Sequence, residues 1–180
     1  MLLVADRSQL LIVDVQERLA PAMAEGEVVI RQAGILMDAA GHLGVPVLVS
    51  EQYPKGLGPT VAPLRKRAPP GVTMPKLEFS CAANPDLANR LRGAGREQVV
   101  IAGIEAHVCV LQTALGLKMQ GLSPVVVTDA VSSRARASRE AAVARLAANG
   151  VELATTEMVV FEWLGRAGTD VFRAVSSLIR

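Results

Sequence analysis

Short apolar runs that stop abruptly at a polar residue recur along the chain. Leu10-Leu11-Ile12-Val13 ends at Asp14, Val45-Pro46-Val47-Leu48-Val49 at Ser50, and Pro124-Val125-Val126-Val127-Thr128 at Asp129, with a fourth run over residues 98–102. They lack the apolar–polar alternation of a strand with one wet face, so they read as strands buried on both sides. Helical spacing appears between them. Val28, Val29, Ala33, Leu36, Met37, Ala40 and Leu43 place a helix over residues 25–43, with Gly44 and Pro46 as its stop, and further helices are expected over 109–120 and 137–149. Strand–helix alternation of this kind requires right-handed crossovers. The pattern predicts an α/β fold built on a mostly parallel sheet. A chain of 180 residues is long enough to bury one sizeable core, so residues 1–180 are read as a single domain.

Hydrophobic residues make up 51% of the chain, yet no apolar run reaches the roughly 20 residues that span a bilayer. The excess fits a buried sheet, and no membrane partner is expected. The start, Met-Leu-Leu-Val-Ala-Asp, has no basic region before its apolar residues and reads as no signal peptide, so a cytoplasmic location is expected. The formal charge is +2, and the basic residues are scattered apart from Arg65-Lys66-Arg67, which argues against a nucleic-acid partner. Two cysteines, Cys81 and Cys109, show neither CxxC spacing nor a nearby histidine cluster, so neither a disulfide framework nor a structural zinc site is expected.

In open parallel sheets the site lies beyond the carboxyl ends of the strands. Asp14 falls there, where partial desolvation suits a general base; an aspartate capping a helix or pairing with an arginine is its commoner use. Cys109 falls in the first turn of a predicted helix, where free N–H groups and the dipole favour thiolate, so rapid alkylation near neutral pH is expected; a small packed thiol is the plain alternative. Lys76 lies where the long Pro- and Gly-rich stretch of residues 51–74 returns to the sheet, and taken alone it reads as a solvated surface lysine. The glycines of that stretch are in the wrong order for a phosphate-binding loop, and Pro59 removes an N–H such a loop would use. Residues 157–180 read as two short helices broken at Gly165 and Gly168, whose apolar faces need the sheet or another subunit to cover them.

Taken together, the motifs are more specific. Asp14-Val15-Gln16 after an apolar strand, Lys76 before Phe79-Ser80, the run from Gly103 to Cys109-Val110, and Asp129-Ala130-Val131-Ser132-Ser133-Arg134 occur in the order and spacing of the isochorismatase-like cysteine hydrolases. The chain resembles that family over nearly its whole length, and especially its branch of isochorismatase domain-containing proteins of animals. The resemblance implies three layers, with helices on both faces of an open, mostly parallel, six-stranded, Rossmann-like sheet, and a catalytic triad in which Cys109 is the nucleophile, Asp14 the proton acceptor and donor, and Lys76 the cation that orients them. It also implies a cis peptide between Ile104 and Glu105, with the N–H groups of Glu105 and Cys109 forming an oxyanion hole, and a thioester intermediate released by water. Gln16, Gln52, Tyr53, Phe79 and His107 are the candidate substrate contacts. Nicotinamidases of this fold hold a metal with an aspartate and several histidines; only His42 and His107 occur here, so no metal or other cofactor is expected. Isochorismatases proper generally lack the cysteine, which favours a small molecule with an amide or ureido C–N bond, cleaved by a homo-oligomer, dimer or higher. Two other readings stand beside this one: a catalytically silent scaffold, and a thiol redox sensor with Cys81 as the resolving thiol.

Overall fold

The computed structural model describes residues 1–179; Arg180, the last residue of the expected C-terminal helical segment, lies outside them. Six strands, β1 (Ser8–Val13), β2 (Val47–Gln52), β3 (Thr73–Lys76), β4 (Gln98–Ile104), β5 (Ser123–Ser132) and β6 (Glu152–Ala154), form one sheet in the order β3-β2-β1-β4-β5-β6. Every adjacent pair runs parallel. Every residue of β1 and β4 is buried, the apolar ones as their runs predict and Ser8, Gln9 and Gln98 with their side chains hydrogen-bonded.

Successive side chains of a strand face opposite ways, so each apolar strand feeds two cores. Leu10, Ile12, Val100, Ala102, Val125 and Val127 join the core that includes Ala33, Leu36 and Met37 of helix α1 (Gly26–Leu43). Leu11, Val13, Val99, Ile101 and Val126 join the opposite core, which takes in Leu87 and Leu91 of a helix over Pro85–Gly93, Ala114 and Leu117 of one over Leu111–Met119, and Leu146 of one over Arg136–Ala148. Helix α1 stops at Gly44, which takes a left-handed conformation, as its sequence predicts. The long stretch after β2 contains two short helices, α2 (Pro54–Leu57) and α3 (Ala62–Arg65). The remaining helices are then α4 (Pro85–Gly93), α5 (Leu111–Met119), α6 (Arg136–Ala148), α7 (Thr156–Leu164) and α8 (Asp170–Ser176). Helices α7 and α8 are separated by Gly165 and Gly168, and they bury Val159, Val160, Trp163 and Val175 in the α1 core.

Two local features differ from the sequence expectation. The helix expected over 109–120 opens with a π-helical turn, Ala106–Val110, so Cys109 precedes α5. Strand β5 runs well past Thr128, because it bulges: Ile101 pairs with Val126, but Gly103 pairs with Val131. Among the described residues no helix is long and apolar enough to cross a membrane.

Candidate active site

The strand order reverses between β1 and β4, which open a crevice beyond their carboxyl ends. Asp14 follows β1, and Gly103 lies in β4 directly opposite Val13. A side chain at Gly103 would collide with the Val13 main chain, and its φ of +134° is open only to glycine, so the two strands can approach closely here. The polypeptide then passes through Ile104 and Glu105, joined by a cis peptide bond, into the turn that carries Cys109.

Asp14 is fully buried, with φ +54°. Apart from glycines, it and Tyr53 (φ +37°) are the described residues with positive φ, and such conformations gather at functional sites. Its carboxylate has two partners: Lys76 Nζ donates to Oδ2 at 2.6 Å, and Ser50 Oγ to Oδ1 at 2.7 Å. Lys76, at the end of edge strand β3, is equally buried, and its other donors go to Gln52 Oε1 at 2.6 Å and to the Phe79 carbonyl at 3.1 Å. A buried ion pair survives only when its remaining hydrogen-bonding capacity is met, and here the ammonium has three acceptors.

Cys109 is 5% exposed. Burial is the main cause that pushes its thiol up to about 12; the negative charge of Asp14 pushes the same way, against the pull of Lys76. This direction runs against the expectation of a thiol acidified by its helix start: desolvation and the Asp14 charge both favour the neutral thiol. Cys81 is also raised, by burial first and then by Asp14, so its thiol too is neutral.

The expected substrate contacts divide. Gln16 is fully buried; its Nε2 donates to the carbonyls of Gln52 (2.9 Å) and Gly58 (2.7 Å), and its Oε1 accepts from the Gln52 N–H (2.8 Å). It fixes the loop after β2 and offers nothing to a substrate. Its change to alanine strands these groups, at a cost of about 1–3 kcal/mol each where water cannot reach them; a lowered Tm in thermal unfolding is the expected result. The Gln52 side chain joins Lys76 to the Leu77 carbonyl and likewise serves the cradle. Tyr53 and Phe79 are half exposed, as a rim would be. His107 is partly buried, with Nδ1 2.9 Å from Ser133 Oγ.

Ser50 and Arg134 complete the set. Sequence reasoning passed over Ser50, although its position at the end of the β2 apolar run, in register with Val13, is the signal Asp14 also gives. Arg134 donates from its N–H and its Nε to Glu105 Oε2, both at 3.1 Å. In the fourth motif Asp129 is structural: it accepts from the N–H and hydroxyl of Thr156 at the start of α7. Among the described residues no three His, Cys, Asp or Glu side chains group as metal ligands.

An isochorismatase-domain family model matches residues 8–158. The mouse isochorismatase domain-containing protein 2A is 36% identical over 176 residues, covering 97% of this chain and 84% of that protein. The structure of a Caenorhabditis elegans protein described as MAR1 ribonuclease superposes with a TM-score of 0.93 at 36% identity, covering 99% of this chain and 92% of that one. The Escherichia coli YcaC gene product, described as an octameric hydrolase of unknown specificity, gives a TM-score of 0.93 at 24% identity over 99% of this chain and 89% of its own, a likeness of fold.

Proposed function

The chain belongs to the isochorismatase family, with that family's hydrolase fold, and on this premise we propose that it is a metal-independent cysteine hydrolase that cleaves an amide or ureido C–N bond of a small molecule. The observation that carries the reading is the buried Asp14–Lys76 pair at 2.6 Å, with the buried Cys109 near enough to feel both charges.

Asp14 takes the thiol proton as sulfur attacks the substrate carbonyl, forming a C–S bond and an oxyanion. The N–H of Glu105, which has no hydrogen-bond acceptor among the described residues, and that of Cys109 receive the oxyanion. Collapse breaks the C–N bond, and Asp14 returns its proton to the departing nitrogen. Water then attacks the thioester, Asp14 accepts the water proton, the C–S bond breaks and Cys109 regains its proton. Lys76 holds the carboxylate in place throughout and offsets the negative charge that passes between Asp14 and sulfur. Tyr53 and Phe79 form the rim where substrate enters.

We place the enzyme in the cytoplasm, where a reducing medium keeps Cys81 and Cys109 as the free thiols they are. A homo-oligomeric state is supported by the octamer described for the YcaC protein. RNA cleavage, the activity in the name of the C. elegans protein, finds less support here, because a formal charge of +2 spread over scattered basic residues offers no track for phosphates.

A panel of small amides, ureides and carbamoyl compounds tests the reading by intact mass and product release. An acyl adduct on the wild-type protein, absent from Cys109→Ala, is expected; no adduct and no turnover across the panel would leave the scaffold reading in its place.

A further inference from the structure

The segment that bears the oxyanion donor is held from the side by another piece of chain. Glu105 is 7% exposed, and its carboxylate is gripped by the N–H and Nε of Arg134, while His107 meets Ser133. The Ser132-Ser133-Arg134 piece is itself anchored: the Ala24 N–H donates to the Ser133 carbonyl at 3.0 Å, the Glu25 N–H to Ser132 Oγ at 3.2 Å, and Arg139 Nε to the Val131 carbonyl at 3.0 Å. It reaches this position through the bulge in β5, which advances five residues, Val126 to Val131, while β4 advances two, Ile101 to Gly103. An unbroken ladder would set Thr128 opposite Gly103 and leave Arg134 beyond the crevice.

We infer that Arg134 and the Glu105 carboxylate are positioning residues: together they fix the Glu105 main chain so that its N–H meets the oxyanion. The inference rests on the cysteine-hydrolase reading. Arg134 is 66% exposed at its side chain, and an exposed ion pair contributes little to stability. Its effect on catalysis is larger, because oxyanion donors act through preorganisation, and a displacement of about 1 Å at such a site costs about 10²-fold in rate.

Two reactions of Cys109 separate this role from a merely structural one. Acylation by p-nitrophenyl acetate builds an oxyanion; alkylation by iodoacetamide does not. Arg134→Ala is expected to slow acylation about 10- to 100-fold through kcat, with KM and the alkylation rate within about twofold of wild type. Glu105→Ala is expected to show the same split, and Glu105→Gln, which keeps an acceptor for both donors, to recover most of the lost rate. Acylation at the wild-type rate in Arg134→Ala overturns the inference, and so does an equal loss in both reactions. A wild-type protein that alkylates but neither forms an acyl adduct nor releases p-nitrophenol overturns the hydrolase reading itself, and the inference with it.

Discussion

Asp14→Asn is expected to move two reactivities of Cys109 in opposite directions. Hydrolysis falls about 10²–10⁴-fold, because the proposed general base is gone. Alkylation by iodoacetamide at pH 8, in contrast, accelerates about tenfold or more, since each unit by which the thiol pKa falls multiplies the thiolate fraction by ten. Burial raises that pKa most, but the charge of Asp14 comes next, and Lys76 acts the other way. Asparagine removes the carboxylate charge and leaves the Lys76 cation unopposed. In the wild type, with the thiol near 12, alkylation should climb about tenfold per pH unit from pH 7 to 10 without levelling, whereas a thiol at its ordinary value of 9.0 would begin to level within that range. A pH–rate profile of iodoacetamide labelling, followed by intact mass, reads both quantities. Slower alkylation in Asp14→Asn would mean that the resting site is a thiolate beside a protonated Asp14, and the proton inventory proposed above would have to be reversed.

The direction of that pKa marks where sequence reading reached its end. The α/β class and the mostly parallel sheet were legible because runs such as residues 10–13 and 98–102 suit strands covered on both faces, and strand ends then located Asp14; the count of six came from the family resemblance, since β3 and β6 are short and carry no such run. Cys109 was legible as a residue near a helix start, but the depth of its burial depends on which side chains close over it, and no local pattern encodes that. Lys76 is a surface lysine by any local criterion; only the spacing of its motif singled it out, and the buried cradle of Asp14, Gln52 and Phe79 is assembled from three separate parts of the chain. Gln16 misled for the same reason. A polar residue two positions past a strand end reads as a substrate contact until the loop that returns over it, carrying Gly58, uses up its donors. The β5 bulge was invisible because a bulge is a mismatch between two strands, and each strand taken alone is an ordinary apolar run.

Lys76→Met should carry the largest stability penalty among the site variants. It leaves the fully buried Asp14 carboxylate without its counter-charge and strands the Gln52 and Phe79 oxygens, and breaking a buried pair in this way costs about 3–5 kcal/mol. For a chain of this size each kcal/mol lowers Tm by about 2–4 °C, so a fall of roughly 10 °C is expected. Adding Asp14→Asn in the same protein removes the stranded charge, and the double variant should be more stable than Lys76→Met alone. A double-mutant cycle from denaturant unfolding measures the difference, and additive losses would show that the pair is not coupled. Alkylation supplies the chemical half of the test. Without Lys76 the thiol loses the one cation that lowers its pKa, so labelling slows, whereas Asp14→Asn speeds it. General loosening of the site would expose Cys109 and accelerate labelling in both variants, so opposite signs would mark the effect as electrostatic.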